Sequence, residues 1–210
     1  MADVDPATGV KLFADYLSDQ GIKSGKVVDI GAGKGRNSVY LAELGFEAFA
    51  LEYIKLALDV AEKLAADHGV RESIHAKLAD IDRRWDFPDN YFDLAIDSFS
   101  SIDIETRQGR KVCRDEMYRT LKGGGLGLVT VVSAQDEWER DMIAQHPGPE
   151  PNSCIWPQNG KFQKDYDEAE LREFFQRFEI IELKTIHKPA HKLGRDGTAT
   201  NFWMVVRKPQ

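Results

Sequence analysis

The sequence predicts an α/β fold, a doubly wound parallel sheet with helices on both faces. Three observations carry this expectation. Short apolar strands alternate with amphipathic helical stretches from residue 26 to residue 132. The first strand runs straight into a glycine turn, Asp29-Ile30-Gly31-Ala32-Gly33-Lys34-Gly35. Acids recur at the strand ends, at Glu52, Asp80 and Asp97. In such a sheet, ligands bind outside the carboxyl ends of the strands, where these residues fall.

The elements follow in order. Asp5-Pro6 reads as a helix cap with proline in the first turn. Val10, Phe13, Ala14 and Leu17 then recur at helical spacing, and Gly21 ends the helix. Lys26 to Ile30 is the first strand and Asn37 to Leu44 a helix closed by Gly45. Phe46 to Leu51 is the second strand. Leu56, Val60 and Leu64 form the apolar stripe of the next helix, with Ala57, Ala61 and Ala65 beside it, and His68-Gly69 ends it. Ile74 to Ala79 is the third strand. Pro88-Asp89-Asn90 is turn chemistry ahead of a fourth strand, Tyr91 to Ile96. Glu105 to Leu121 is helical, stopped by Gly123-Gly124-Gly125, and Leu126 to Val132 is a nearly all-apolar strand suited to burial on both faces. Leu171, Phe174, Phe175 and Phe178 mark a later helix; Glu179 to His187 and Asn201 to Arg207 are closing strands. Right-handed crossovers place the ends of the first, second and fourth strands on one rim.

Residues 133–164 break the rhythm. They show no clean period and carry Pro147, Pro149, Pro151 and Pro157 with Trp138, His146 and Trp156. A connection this long inside a compact domain is usually functional or disordered, and the aromatics favour an ordered cover. The expectation is a single domain over residues 1–210, with 1–20 and 133–164 covering an acceptor site and ordering on binding.

Composition narrows the function. Hydrophobic residues make up 42% and charged residues 30% of the chain, which suits a globular protein with a full core. No apolar run is long enough to span a bilayer, and Met1-Ala2-Asp3-Val4-Asp5 lacks the basic and apolar regions of a signal peptide. Cys113 and Cys154 make no disulfide framework, so a reducing cytoplasmic setting is expected. A net charge of −7 weighs against nucleic acid. Histidines and cysteines are too scattered for a metal-ligand spacing. The run Arg107, Arg110, Lys111, Arg114 and Arg119, mixed with acids, reads as a solvated helix face. Lys188, His191, Lys192 and Arg195 read as a solvated hairpin turn, and Trp203 as core.

The glycine turn carries the chemistry. Gly31, Gly33 and Gly35 give G-x-G-x-G, whereas a dinucleotide fingerprint would want glycine where Arg36 stands. An acid at position 29 suits a cofactor bearing positive charge. Glu52 ends the second strand, where a carboxylate can accept from both hydroxyls of a ribose. Asp80 is placed to accept from an exocyclic amine, with Asp82 two residues on as the alternative.

Here the chain resembles the class I S-adenosylmethionine-dependent methyltransferases. The carriers are Val27 to Gly35, Glu52, Leu78-Ala79-Asp80, Phe92 to Ile96, and Leu121-Lys122-Gly123-Gly124-Gly125. Arg36-Asn37-Ser38 looks like the continuation found in tellurite-resistance and thiopurine-type enzymes, which act on small molecules. The resemblance implies a seven-stranded sheet with the last strand antiparallel and S-adenosylmethionine as cofactor. It implies that Asp29, Gly31, Ala32, Gly33 and Gly35, with Asn37, cradle the methionine part. Glu52 would hold the ribose, Asp80 and Ile81 the adenine, and Asp97 would lie near the methionine amino group. The expected reaction is in-line methyl transfer to a small-molecule acceptor, with no catalytic residue assigned. The fourth strand ends Asp97-Ser98-Phe99-Ser100, not in the Asn/Asp-Pro-Pro-Tyr motif of amino-methylating DNA enzymes. Methylation of a nucleic acid or protein, a non-catalytic cofactor binder and a nicotinamide oxidoreductase are the competing readings.

Overall fold

The computed structural model describes residues 5–210; the stretch before Asp5, the start of the expected 1–20 cover, lies outside them. The apolar strands assemble into one seven-stranded sheet and the segment after residue 132 adds a two-stranded one. In chain order the elements are α1 (Thr8–Asp19), β1 (Lys26–Ile30), α2 (Arg36–Glu43), β2 (Glu47–Glu52), α3 (Lys55–Asp67), β3 (Ile74–Leu78), β4 (Phe92–Ser98), α4 (Arg107–Thr120) and β5 (Leu121–Val132). They continue with α5 (Glu137–Gln145), β6 (Ser153–Ile155), β7 (Phe162–Lys164), α6 (Glu168–Phe174), β8 (Glu179–Lys192) and β9 (Arg195–Arg207). The sheet order is β3-β2-β1-β4-β5-β9-β8. The strands from β3 to β5 are parallel, and β9 runs antiparallel to both neighbours. This is the doubly wound sheet with its last strand reversed.

Side chains alternate across each strand, so the sheet buries two apolar layers. Val28, Ile30, Leu51 and Val129 join Cys113 and Met117 of α4, Leu171 of α6 and Trp85 on one face. Val27, Ala48, Leu94 and Leu128 join α1, α2 and α3 on the other.

Several local expectations are corrected. Helix α1 begins at Thr8 with Ala7 at its cap; Asp5 instead pairs with Lys11 at 2.6 Å. On α3 the buried face is Leu58, Ala61 and Ala65, while Leu56 and Val60 of the expected stripe are exposed. The cause is close packing: a Cβ on Gly35 would stand 2.6 Å from Ala61 Cβ, so only a small side chain fits against the glycine turn. The basic row of α4 is solvated at Arg107 but not at Arg110, Arg114 or Arg119. Arg110 is buried, donates to Ile104 O at 2.6 Å and pairs with Glu150. Arg114 donates to Phe174 O and Arg119 to Trp85 O and Phe87 O, so the guanidinium forks serve loop carbonyls. The expected hairpin turn is strand: β8 and β9 reach residues 192 and 195 and form a long arm. Residues 133–164 are ordered, with helix α5 and the β6–β7 hairpin.

Candidate functional site

Strand register builds the site. Ile30 pairs with Leu51 on one side and with Asp97 on the other. The turn that begins at Gly31 therefore opens between Glu52 and Asp97. Ala32 N donates to Leu51 O at 2.8 Å, which ties the turn to β2. Ala79 N donates to Glu52 O at 3.0 Å and brings the β3 end alongside.

The three glycines do different work. A Cβ on Gly31 would stand 2.6 Å from Ser100 Cβ, and one on Gly35 would meet Ala61, so both positions are filled by the protein itself. Gly33 has φ +55° and nothing within 4 Å of where a Cβ would stand. It is the place in the turn where bare backbone faces open space.

Glu52 anchors this turn. It is buried; its Oε2 accepts from Gly33 N at 3.0 Å and its Oε1 from Ile54 N at 2.8 Å. A carboxylate has about four lone-pair positions, so each oxygen keeps one for a ligand. Asp29 is buried beneath the turn and accepts from Ser38 Oγ at 2.6 Å. Burial pushes its carboxyl up to about 6, against the Ser38 hydrogen bonds that favour ionisation. Asp97 is buried and accepts from Ser100 N and Ser101 N, both at 3.1 Å. Burial raises its carboxyl too. Asp29, Glu52 and Asp97 thus converge on one rim, and among the described residues none has an ion-pair partner.

The remaining candidates divide. Ala32 lies in the turn and Ile81 borders it, 3.7 Å from where a Gly31 Cβ would stand. Asn37 is buried and its Oδ1 accepts from Ala7 N at 2.9 Å, so it ties the entry of α1 to the turn. Asp80 is half exposed and pairs with Arg83 at 3.1 Å. Tyr53, Ile54 and Leu78 leave an exposed apolar surface next to Glu52. Sequence reasoning missed Ser38 and Ser100, whose roles arise from contacts 9 and 69 positions away. It also missed Phe99, which holds φ +63° at the end of β4. That conformation is rare for a bulky residue and is retained only where surroundings impose it.

The excursion makes contact at the ends of β4 and β5. Ser133 bridges to Tyr166 at the end of β5, and Lys161 pairs with Asp103 in the turn after β4 at 2.6 Å. The apolar stripe of α1, Val10, Phe13 and Leu17, is wholly buried against the sheet. Of the described residues up to 20, Asp5 and Ala7 reach the turn, Ala7 N donating to Asn37 and Asp5 O accepting from Arg36.

A parallel sheet with one reversed strand, a glycine turn after β1 and an acid at the end of β2 form the Rossmann-like fold of the class I S-adenosylmethionine-dependent methyltransferases. Residues 27–125 match the family model described as a methyltransferase domain. Over 137 residues the chain is 29% identical to a 2-heptyl-1-hydroxyquinolin-4(1H)-one methyltransferase of Mycobacteroides abscessus, across 64% of this chain and 58% of that relative. The chain thus spans little more than half the length of that curated relative. Its fold matches an S-adenosylmethionine-dependent methyltransferase of Methanosarcina mazei with TM-score 0.80 and 20% identity, covering 98% of this chain and 99% of the other. It also matches the 1,6-didemethyltoxoflavin-N1-methyltransferase of Burkholderia thailandensis, solved with 1,6-didemethyltoxoflavin and S-adenosylhomocysteine bound. There the TM-score is 0.70 and the identity 16%, over 97% of this chain and 79% of the other.

The residues present fit the family's cofactor. Open space at Gly33 admits a ligand against backbone, and rim carboxylates that form no ion pair among the described residues suit one that carries positive charge.

Proposed function

We propose that the chain transfers the methyl group of S-adenosylmethionine to a small-molecule acceptor. The observation that carries this reading is the convergence of Asp29, Glu52 and Asp97, free of ion-pair partners among the described residues, around the open Gly33 backbone. Gly31 to Gly35 would hold the methionine part, with Asp29 and Asp97 supplying negative charge to it. Glu52 would accept from the ribose hydroxyls with its remaining lone pairs. Ile81 and Asp80 would take the adenine, with Tyr53, Ile54 and Leu78 as an apolar shelf for the ring. When bound, the cofactor supplies a methyl group already activated by a sulfonium sulfur. The protein's share is then alignment of the acceptor and exclusion of water. No side chain needs to act as a base unless the acceptor must lose a proton of high pKa.

The acceptor would enter between the ends of β4 and β5 and the roof made by residues 133–164. Phe99 and Tyr166 stand at that boundary. The names of the relatives support a small molecule. The net charge of −7 argues against a polyanionic acceptor, and two free, buried cysteines suit a cytoplasmic setting. Among the described residues no helix is long and apolar enough to cross a membrane.

Titration calorimetry tests the cofactor: S-adenosylmethionine and S-adenosylhomocysteine should bind and NAD should not. Binding of NAD in their place would overturn the reading. Label transfer from methyl-labelled cofactor, screened over hydroxyquinolinones, phenols, heteroaromatic amines and thiols beside RNA and protein, tests the acceptor class. Transfer only to a macromolecule would overturn the small-molecule assignment.

A further inference from the structure

The excursion holds a buried cluster of ionisable groups that methyl transfer leaves unused. Glu139 comes from α5, Cys154 from β6 and Asp165 from the residue after β7. One ligand atom of each lies within 4.8 Å of the others. Glu139 is 1% exposed, and Cys154 and Asp165 are 0% exposed. Cys154 is a free thiol. Each carboxylate spends one oxygen on a neighbour: Glu139 Oε1 accepts from Lys192 Nζ at 3.2 Å and Asp165 Oδ1 from Gln163 Nε2 at 2.7 Å. The second oxygens, Glu139 Oε2 and Asp165 Oδ2, are buried without a hydrogen-bond partner. A buried polar atom left this way loses its hydration with no return. Two of them in one cluster, beside a thiol, point to a missing occupant.

We propose that Glu139, Cys154 and Asp165 bind one divalent transition-metal ion of the zinc class, which fastens three segments of the excursion together. The donor set selects the ion. A thiolate disfavours magnesium and calcium, two carboxylates disfavour copper(I), and zinc accepts sulfur and oxygen at four-coordinate sites. Binding requires Cys154 and Asp165 to release their protons to solvent, so a metal–sulfur and a metal–oxygen bond replace the S–H and O–H bonds. Burial pushes the Cys154 thiol up to about 12 and Asp165 up to about 8, so without a cation both groups hold their protons near neutrality. A metal at bonding distance inverts that preference. Sequence spacing concealed the set because its members lie 15 and 11 positions apart, on separate elements. The competing occupant is a proton shared by the two carboxyls.

The test uses chelator-treated full-length protein loaded with zinc or cobalt(II) just below its melting range, then desalted. The proposal expects about one metal per chain. It expects a thiolate-to-cobalt charge-transfer band and a higher melting midpoint in zinc than in chelator. With two cysteines in the chain, Cys113→Ser should keep the band and Cys154→Ser should lose it. Asp165→Asn should lower retention if Cys154→Ser fails to fold. Wild-type protein that retains neither metal, shows no band and melts identically in zinc and chelator would overturn the site in favour of the shared proton. That outcome would leave the methyl-transfer reading intact, because none of the three residues borders the glycine turn.

Discussion

Gly33 and Gly35 both adopt positive φ, yet their substitution should separate binding from folding. At Gly33 a side chain meets no protein atom, so Gly33→Val should retain the fold apart from about 1–2 kcal/mol of backbone strain and lose cofactor binding. At Gly35 the new Cβ adds a clash with Ala61 to the strain, so Gly35→Ala should lower the melting midpoint further than Gly33→Ala. Equal midpoints would show that α3 gives way. Glu52 needs the same separation. Glu52→Ala orphans Gly33 N and Ile54 N as well as the proposed ribose contact, and so costs stability too. Glu52→Gln keeps one acceptor oxygen but turns its NH2 toward the other backbone N–H; it should lose less stability than Glu52→Ala, while calorimetry shows affinity weakened by about 1.5–3 kcal/mol. Asp29 gives a pH signature. Its carboxyl is raised from 3.8 to about 6, so the folded chain keeps a proton that the unfolded chain has lost between those values. Its contribution to stability is therefore present at low pH and is lost as pH rises to about 6. Cofactor affinity should run the other way, weakening as pH falls through about 6, and Asp29→Asn should flatten the profile. The glycine turn was legible from its local spacing, and Asp29, Glu52 and Asp97 because each falls in or at the end of an apolar strand that can be read locally. Asn37 was legible only as a residue beside the turn. Its bond to Ala7 is a tertiary fact that no local pattern encodes.

At the scale of elements, period and apolar content located the parallel strands and most helices, while contacts between elements decided which faces were buried. The α4 row shows why: alternating basic residues look solvated, but Arg119 reaches the loop between β3 and β4 and holds Trp85 O, Phe87 O and Asp89 while pairing with Glu116 at 2.6 Å. Glu116 in turn accepts from Trp85 N at 2.8 Å, and Trp85 is 1% exposed. This loop fills the face of the sheet with one indole, anchored by an arginine. Arg119→Ala leaves a mostly buried carboxylate and two carbonyls with fewer partners, so urea denaturation should show a loss of about 2–4 kcal/mol. Lysine should restore little, because it cannot fork to several acceptors. A loss below about 1 kcal/mol would place the residue with ordinary surface pairs. The excursion was legible only as a break in rhythm. Its strands are three residues each, too short to show a period, and its helix is capped by Asp136, which also accepts from Thr200 N on β9 at 2.6 Å.

Across the whole molecule, the excursion and the β8–β9 arm form one body. Trp138 Nε1 donates to Lys192 O at 3.0 Å, Lys192 pairs with Glu139, and Arg195 pairs with Asp141. If residues 133–164 gain protection when cofactor and acceptor bind, residues 188–200 should gain it with them in hydrogen exchange. Protection of the excursion with an unchanged arm would show that the roof moves alone. The position of β9 has a different consequence. It lies between β5 and β8, and its Trp203 Nε1 donates to Gly9 O across 194 positions. Synthesis delivers α1 before the strands of this sheet and β9 after all of them. Until β9 threads into the gap, α1 lacks its anchor, and through Ala7 and Asn37 the entry to the glycine turn is unfixed. The nascent chain therefore carries the glycine turn until β9 has been made before that turn is fixed in place. A non-local pairing of this kind makes folding slow and leaves sheet edges open to chaperones meanwhile.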